Sequence, residues 1–256
     1  MNQSGTKQEP ASAWIVGDIH GQAEMLSDLL EALPRGPEDI TVFLGDYLDR
    51  GPDSKGVVER VLHEHDLAPS RTVLLWGNHE DMAAEHFGID APSGFEYDPY
   101  DWFRNGGFEA LASFGYPNPA AAFQAPCPDA LAALFSRLKT YYRLPDAIAG
   151  EEQIVCVHAG VPTYEEPETA AGQTLLWVRS EFLDFAQMPG RTILHGHTPY
   201  KRVRVVGGKI GLDTGAAYGG PLTALQLPAR KLYQAFPDGE LRASDLPDES
   251  KPPRFR

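Results

Sequence analysis

Short apolar runs alternate with amphipathic segments through the first third of the chain, as buried strands alternate with helices. The apolar runs lie at residues 13–16, 42–44 and 72–76. Residues 26–33 carry leucines at the i, i+3, i+4, i+7 spacing of one helical face, and residues 57–62 carry valines and a leucine on a second such face. Ser54 stands before this second helix as its expected cap. Continuous apolar strands between amphipathic helices predict a parallel sheet that is covered on both faces.

The pattern changes beyond the third strand. Residues 88–128 are rich in proline, glycine and aromatic residues, which predicts an irregular insertion. Residues 131–138 then place leucines and a phenylalanine on one helical face. Apolar runs at residues 154–157 and 192–194 are each followed by histidine, and Gly207-Gly208 predicts a tight hairpin between two further strands. The second half of the chain is therefore predicted to be mainly β.

Length, composition and charge limit the classes of protein to consider. The 256 residues are 42% hydrophobic and 23% charged, which is typical of a globular protein with a sizeable core. We expect one domain over residues 13–244, with poorly ordered polar ends at residues 1–12 and 245–256. The formal net charge of -14 argues against generic nucleic-acid binding. Two cysteines suggest neither a disulfide framework nor a thiolate metal site, and no apolar run is long enough to span a membrane, so we expect a cytoplasmic protein.

Polar side chains cluster where the predicted strands end. The clusters are Asp18 with His20, Asp46 with Asp49 and Arg50, Asn78 with His79, His158, and His195 with His197. In α/β sheets, ligands collect at the carboxyl ends of the strands. Aspartate, histidine and asparagine without cysteine form a ligand set suited to Mn, Fe or Zn ions. A carboxylate that bridges two cations about 3.5–4 Å apart is the expected geometry of a site for two such ions.

Five short motifs give these clusters a family resemblance. They are GDIHG at residues 17–21, GDYLDRG at 45–51, GNHE at 77–80, HAG at 158–160 and GHT at 196–198. In this order and spacing, the sequence resembles the calcineurin-like metallophosphoesterases, and within them the bacterial type of the serine/threonine phosphoprotein phosphatases. The resemblance extends from about Trp14 to about Gly220. It implies an α/β fold, α+β-like in layout, in which a two-sheet β-sandwich is flanked by helices.

The resemblance also implies two divalent metal ions and a ligand set for each. The residues that would hold the first ion are Asp18, His20 and Asp46, and those that would complete the second are Asn78, His158 and His197. Asp46 would bridge the two ions. Manganese is the metal we favour, with Fe or Zn as alternatives, because the ligand set admits all three.

Further positions would handle the phosphate and the leaving group. Arg50 would bind two phosphate oxygens through its planar fork, and Arg179 would supply a second grip. Asn78 would also lie beside the phosphate. The resemblance makes His79 the general acid that protonates the leaving alkoxide, and Asp49 would fix the tautomer of His79 and keep it protonated.

The function that these roles predict is that of a metal-dependent phosphomonoesterase, most simply a serine/threonine protein phosphatase. A hydroxide that bridges the two ions would attack phosphorus in line. Hydrolysis of dinucleoside polyphosphates, such as diadenosine tetraphosphate, is the alternative, although relatives with that activity typically lack the aspartate found here as Asp49. A non-catalytic binding subunit is disfavoured, because every ligand and the acid are present. We expect a phosphorylated protein or a small phosphoester as substrate and neither nucleic acid nor membrane as partner; the sequence does not indicate an oligomeric state.

Several positions allow two interpretations. Arg179 could instead pack on Trp177 through a cation–π interaction. The aromatic part of the insertion could be a substrate-facing cap or a satellite core of packed rings. His195 would be a neighbour of the ligand His197, Asp213 would support the site structurally, and His86 lies in a helical stretch that carries no motif.

Overall fold

The parallel sheet that the first apolar runs predict is present. The structure is a computed structural model, and it describes residues 12–150, 152–162, 165–185, 188 and 190–249. The strands are β1 (Ala13–Val16), β2 (Ile40–Phe43), β3 (Thr72–Leu74), β4 (Tyr141–Arg143), β5 (Gln153–Val157), β6 (Arg191–His195), β7 (Arg204–Val206), β8 (Lys209–Gly211), β9 (Leu222–Leu227), β10 (Lys231–Ala235) and β11 (Leu241–Asp245). Strands β1, β2 and β3 pair in parallel, and β9 to β11 add antiparallel strands beside β1. The six strands lie in the order β11-β10-β9-β1-β2-β3.

A second sheet comes from the second half of the chain. Its five strands lie in the order β4-β5-β6-β8-β7, and β5, β6 and β8 run parallel. Strands β7 and β8 form the predicted hairpin through Gly207-Gly208, whose φ angles are 57° and 74°. Positive φ at both central residues is what a tight hairpin turn requires and what glycine adopts without strain. The two sheets and their helices confirm the fold class that the motifs imply.

The helices cover the outer faces of the two sheets. They are α1 (Ala23–Ala32), α2 (Ser54–Leu67), α3 (Asn78–His86), α4 (Phe108–Ser113), α5 (Pro119–Phe123), α6 (Asp129–Phe135), α7 (Asp146–Ala149), α8 (Gly172–Trp177) and α9 (Ser180–Leu183). Helices α1 and α2 pack on the first sheet, and α8 and α9 lie over the second. Helix α6 ends at Phe135, earlier than the pattern of residues 131–138 predicts. Among the helices of the described residues, none is both long and apolar enough to cross a membrane.

The alternating direction of the side chains explains why strands β1 and β2 are so strongly apolar. Ile15 and Val42 point between the sheets, where they belong to one core cluster with Leu194 of the second sheet. Their neighbours Trp14 and Phe43 point the other way and pack in the cluster that contains helices α1 and α2. Because successive strand residues face opposite sides and both faces are buried, β1 is wholly apolar and β2 is apolar except for the buried Thr41.

The insertion at residues 88–128 is more regular than its composition predicts. It contains a π-helical turn at Phe103–Gly107 and the short helices α4 and α5. Its rings pack closely: Phe103 stacks on Phe108 with centroids 4.3 Å apart and lies 5.5 Å from Phe123. The aromatic residues that suggested an irregular segment therefore form a small packed cluster beside the first sheet.

Two sequence expectations require correction. Asp53, not Ser54, caps helix α2, because its carboxylate accepts a hydrogen bond from Gly56 N at 2.8 Å. The chain is also ordered beyond the predicted start of a disordered tail at residue 245. Strand β11 extends to Asp245 and pairs with β10. Leu246 is buried in the core between the sheets, and this one apolar side chain anchors the start of the polar tail. The predicted disorder of residues 1–11 and 250–256 falls outside the described residues.

Candidate functional site

The polar loops of both sheets meet at one edge of the sandwich. The residues that follow β1, β2 and β3 of the first sheet include Asp18, His20, Asp46 and Asn78. His158 follows β5, and His197 follows β6, in the second sheet. The Nδ1 atom of His158 donates a hydrogen bond to the Leu44 carbonyl at 2.8 Å, which joins the strand ends of the two sheets. All six residues that were predicted to bind metal therefore lie together, and all are buried.

Several residues of these loops have a left-handed backbone. The φ angles are 47° at His20, 52° at Asp46, 73° at Asp49, 65° at Arg50 and 64° at His197. Such conformations cost about 1–3 kcal/mol each in a residue other than glycine and persist only where surrounding contacts determine them. Strain of this kind is concentrated at functional sites, and here it falls on the residues that the motifs single out.

One group of side chains places electron-rich atoms against one another. The Asn78 Oδ1 atom lies 3.0 Å from His158 Nε2 and 2.8 Å from His197 Nδ1, and Asp46 Oδ1 lies 3.4 Å from the same His158 nitrogen. Because the Leu44 carbonyl can only accept, the proton of neutral His158 is on Nδ1 and Nε2 carries a lone pair. His158 Nε2, Asn78 Oδ1 and Asp46 Oδ1 are thus three acceptor atoms, with no proton between the nitrogen and either oxygen, whereas His197 accepts from Arg179 through Nε2 and donates to Asn78 through Nδ1. A cation would be bound favourably by all three.

A second group lies on the other side of Asp46. The Oδ2 atom of Asp46 is 3.4 Å from His20 Nε2, and His20 Nδ1 donates a hydrogen bond to the Leu48 carbonyl at 2.8 Å. Asp18 accepts a hydrogen bond from His197 N through Oδ2 at 2.9 Å, whereas its Oδ1 is one of the buried side-chain atoms, among those described, that lack a partner. An unpaired buried carboxylate oxygen is costly unless something positive binds it.

The electrostatics of the two groups favour the forms that bind metal. Burial lowers the pKa of His158, and it lowers the pKa of His20 to about 3 and that of His197 to about 2, so the three imidazoles are neutral near pH 7. Burial raises the pKa of Asp18, and the nearby charges of Asp213 and Asp46 raise it further. A divalent cation would stabilise the ionised carboxylate and would use the histidine lone pairs.

His79 and Asp49 form a buried pair beside these groups. The Nδ1 atom of His79 lies 2.5 Å from Asp49 Oδ2, and both side chains are almost fully buried. One ring nitrogen of His79 lies within 4.8 Å of ligand atoms of His20 and Asp46. Burial lowers the pKa of His79 to about 4 and raises the pKa of Asp49, so the two side chains share one proton in a dry environment.

The two arginines lie on opposite sides of the site. Arg50 Nη1 is 2.8 Å from His20 Nε2, and Arg179 Nε is 3.1 Å from His197 Nε2. Both arginine residues are exposed. Trp177 donates its indole hydrogen to the Tyr97 hydroxyl at 3.0 Å. The guanidinium of Arg179 contacts His197 through the side-chain nitrogen and the backbone carbonyl.

Comparison with known proteins agrees with this geometry. The model of the calcineurin-like phosphoesterase family matches residues 11–218, which contain the six clustered residues, the buried pair and both arginines. The chain belongs to the calcineurin-like phosphoesterase family. It is a metal-dependent phosphatase, and its family uses a dinuclear centre of divalent metal ions.

The relatives of this phosphoesterase carry two kinds of name. Serine/threonine-protein phosphatase 1 of Salmonella typhimurium is 32% identical over 221 residues, which cover 84% of this chain and 91% of that protein. The asymmetrical bis(5'-nucleosyl)-tetraphosphatase PrpE of Halalkalibacterium halodurans is 25% identical over 246 residues, with coverage of 84% and 89%. A solved structure of a protein serine/threonine phosphatase from Saccharomyces cerevisiae superposes with a TM-score of 0.57 at 16% identity, covering 96% of this chain and 83% of that one. This last likeness supports the shared fold alone.

Glu80 of this phosphoesterase has a part that the sequence did not reveal. It is fully buried, and its two carboxylate oxygens accept hydrogen bonds from four backbone N–H groups. The donors, with their distances, are Asp46 at 2.8 Å, Tyr47 at 2.9 Å, Leu48 at 3.1 Å and Gly77 at 3.1 Å. These bonds hold the backbone of the GDYLDRG loop, including the left-handed residue Asp46. A glutamate three residues after the helix cap Gly77 is the signal that could have indicated this contact.

Replacing Glu80 with glutamine is expected to weaken metal binding about 10–100-fold, the usual cost of losing an outer partner of a metal ligand. The amide turns one acceptor oxygen into a donor, so buried N–H groups of the loop lose their partner. Each such loss costs about 1–3 kcal/mol, so thermal stability should fall as well. Metal titration and calorimetry of the variant check both effects. Unchanged metal affinity would contradict the role of Glu80 in holding the loop.

Three further positions of this phosphoesterase lie beside or outside the site. His195 is buried and packs edge-on against Phe182 with centroids 5.2 Å apart. Asp213 is buried, and its Oδ1 accepts from Gly215 N at 2.9 Å. His86 lies among aromatic rings of the insertion, with centroids 5.2 Å from Trp102 and 4.9 Å from Phe103. His86 therefore belongs to the packed cluster rather than to the metal centre.

The stability of the phosphoesterase is expected to fall on acidification because of His86. Burial lowers the pKa of this imidazole below its ordinary value of 6.5. The unfolded chain therefore binds a proton more readily than the folded one, and stability is lost as the pH falls from about 6.5 through the folded pKa. The variant His86→Phe should lose less unfolding free energy between about pH 7 and pH 5 than the original protein. Urea denaturation at several pH values measures this, and parallel curves for the two proteins would contradict it.

Proposed function

We propose that this chain is a phosphomonoesterase with two divalent metal ions that hydrolyses phosphoserine and phosphothreonine in proteins. The observation that carries the proposal is the group of facing acceptors formed by Asn78, His158 and Asp46. Such an arrangement is unfavourable in a protein without a cation and favourable around one. The 32% identity to a serine/threonine-protein phosphatase over most of both chains supports the choice of substrate.

The proposed ligands divide into two sets that share Asp46. The set for one ion is Asp18, His20 and Asp46, and the set for the other is Asp46, Asn78, His158 and His197. The donor atoms are oxygen and imidazole nitrogen, which suit Mn, Fe and Zn, and we favour manganese. When bound, two such cations lower the pKa of a water molecule toward neutrality and neutralise charge on the phosphate.

Arg50 and Arg179 are proposed to hold the phosphate from two sides. Each arginine is exposed, and one N–H of its guanidinium reaches a site histidine. Metal binding by His20 and His197 would use their lone pairs and free both guanidinium groups, and a phosphate within reach would then accept hydrogen bonds from both forks. Asn78 would contribute its amide N–H groups from the floor of the site. These contacts orient phosphorus for attack from the side opposite the leaving group.

His79 is proposed to give its proton to the leaving oxygen. Its Nδ1 is engaged with Asp49, so the other ring nitrogen is available to the substrate. Donation from that nitrogen requires the doubly protonated imidazole, which the Asp49 carboxylate would favour and which burial of His79, by lowering its pKa, opposes. Proton donation matters most for alkoxide leaving groups, such as serine and threonine, because they leave poorly without a proton.

Hydrolysis of dinucleoside polyphosphates is a second candidate. The side chain of Tyr218 is 64% exposed, and its ring centroid lies 5.5 Å from the Arg50 guanidinium carbon. A flat exposed ring beside a phosphate-binding arginine could stack on a nucleobase. The relative named as a tetraphosphatase is consistent with this candidate. Asp49 favours the phosphatase, since its contact with His79 supports proton donation to a poor leaving group.

Competing substrates distinguish the two candidates. The purified protein is loaded with manganese, and kcat/KM is measured for phosphoserine and phosphothreonine peptides and for diadenosine tetraphosphate. The phosphatase predicts a kcat/KM at least about tenfold larger for a phosphopeptide, which corresponds to about 1.4 kcal/mol. The reverse order, together with a loss of tetraphosphate turnover in Tyr218→Ala, would establish the second candidate. The variant Asp46→Asn serves as the inactive control for contaminating phosphatases.

A further inference from the structure

Trp102, in the insertion, reaches the buried pair of the site. Its indole Nε1 lies 3.0 Å from Asp49 Oδ1 and 3.0 Å from Asp49 Oδ2, so it donates to both oxygens of one carboxylate. Trp102 is 2% exposed and Asp49 is fully buried. The contact links two residues that are 53 positions apart in the chain. The Oδ2 atom that receives it is the one that contacts His79 Nδ1.

The position of the indole is fixed by its surroundings. The Trp102 ring has its centroid 5.5 Å from that of Phe87 and 5.4 Å from that of Phe103. A Cβ atom added at Gly107 would lie only 2.7 Å from the Trp102 ring, so the backbone also closes on it. Ring packing and the close backbone at Gly107 thus hold the indole with its hydrogen on the Asp49 carboxylate.

The insertion also contacts the GDYLDRG loop directly. Gly106 has a φ of 116°, and a Cβ atom there would lie 2.5 Å from Arg50 N and 2.8 Å from the Asp49 Cβ. Only glycine allows so close an approach in this conformation. The turn at Phe103–Gly107 therefore packs against Asp49, a member of the proposed acid pair, and against the neighbouring residue Arg50.

We propose that Trp102 is a positioning residue for proton donation, a role that rests on the proposed function of His79. The indole hydrogen, shared between the two oxygens, fixes the plane of the Asp49 carboxylate. With that plane fixed, Oδ2 stays on His79 Nδ1, and the imidazole keeps its other nitrogen directed at the leaving group. The insertion at residues 88–128 thus contributes to the proton-donating apparatus, beyond a cap or a satellite core.

The test uses two tryptophans with the same chemistry and different locations. Trp102→Phe removes the indole donor and keeps an aromatic ring in the cluster. Trp14→Phe is the matched control, because Trp14 is also fully buried and donates its indole to a carboxylate, at 2.8 Å from Asp39 Oδ2. Each variant loses the hydrogen bond of an indole to a carboxylate, which is buried at Trp102 and partly buried at Trp14. Trp14 lies in β1 outside the site, so its loss should not change the dependence on the leaving group.

The measurement is turnover by the manganese-loaded proteins with leaving groups of different pKa. For Trp102→Phe we expect kcat to fall about tenfold with phenyl phosphate and a phosphoserine peptide, a part of the 10²–10⁴-fold that general acid catalysis supplies. With p-nitrophenyl phosphate, whose leaving group needs no proton, kcat should change by less than about threefold. KM and metal content should stay as in the original protein. Trp102→Met provides the same test if the phenylalanine variant does not fold.

Proton NMR of the same variants loaded with diamagnetic zinc gives a second readout that does not depend on activity. The 2.5 Å contact between His79 Nδ1 and Asp49 Oδ2 should give a strongly downfield proton signal. We expect this signal to shift in Trp102→Phe, to stay in place in Trp14→Phe, and to be missing in His79→Asn. An unmoved signal in Trp102→Phe would overturn the inference.

The reference variant His79→Asn separates the two levels of the argument. If it loses activity equally with all leaving groups, the proposed role of His79 is wrong, and the inference is wrong with it. If His79→Asn is selective and Trp102→Phe lowers every substrate alike, the inference alone is overturned. In the double variant, the loss from Trp102→Phe should disappear, because a positioning residue has no effect once the residue it positions is absent.

Discussion

Asparagine in place of Asp46 is expected to remove bound metal and to lower phosphatase activity by more than about 100-fold, beyond the cost of losing an outer partner of a metal ligand. One carboxylate faces both groups of the site: Oδ1 lies 3.4 Å from His158 Nε2, and Oδ2 lies 3.4 Å from His20 Nε2. Asparagine keeps one oxygen and directs an NH2 donor at the other group. It also removes the negative charge that both cations would share.

Elemental analysis and phosphatase assays of Asp46→Asn test this expectation. The matched control is Asp39→Asn, because Asp39 also accepts several hydrogen bonds, from Ser12 N and the Trp14 indole, in a part of the first sheet that lies outside the site. The control variant should lose stability and keep its metal. An Asp46→Asn protein that retains two ions per chain and activity within about tenfold would exclude Asp46 as a bridging ligand.

His79→Asn is expected to reduce kcat about 10²–10⁴-fold for phosphopeptides while metal content stays unchanged. The imidazole of His79 is engaged with Asp49 through Nδ1, and it is outside the two proposed ligand sets. Its backbone N–H donates to Asp46 Oδ1 at 3.1 Å, and any residue at this position keeps that bond. The chemistry of proton donation is thus removed, whereas the bridging carboxylate is still supported.

The loss of turnover with a good leaving group, compared with the loss with a poor one, makes this test specific. Turnover of p-nitrophenyl phosphate should fall much less than turnover of phosphoserine peptides, since nitrophenolate leaves without a proton. Metal content is followed in the same samples, and His63→Asn, an exposed change on helix α2, controls for handling. Equal losses of metal and of activity with all substrates would show that His79 acts at the metal centre and not as the acid.

The sequence predicts strands β1, β2 and β3 of the first sheet well because they are buried on both faces. Apolar residues such as Trp14, Ile15 and Phe43 dominate these strands, and the helices that cover them carry apolar residues at regular helical spacing. The second sheet depended on the family resemblance, because short strands such as β4 and β7 have no pattern of their own. Strand β11 was missed since its residues are exposed, and pairing of its backbone with β10 carries no side-chain signal.

The ligand residues of the site were predicted from short motifs, and their supporting contacts were not. A motif places Asp46 or His158 at a strand end, where the fold brings the ends together. The carboxylate of Glu80 reaches back from a helix to the loop, and Trp102 reaches Asp49 from a distant insertion. Contacts of this kind depend on side-chain packing across the fold, which spacing along the chain does not encode.

The origin of the proposed metal ligands in both sheets has a consequence for how the molecule unfolds. Asp46 and Asn78 follow strands of one sheet, and His158 and His197 follow strands of the other. The contact between Asn78 and His197 joins positions that are 119 residues apart in the chain. An ion held there acts as a reversible cross-link between the halves of the chain. At a free concentration 100 times the dissociation constant, it would add about 2.7 kcal/mol to the native state. Removal of the metal by a chelator should therefore weaken the contact between the two sheets before it weakens either sheet. A nascent chain that ends before His158 would lack this metal cross-link.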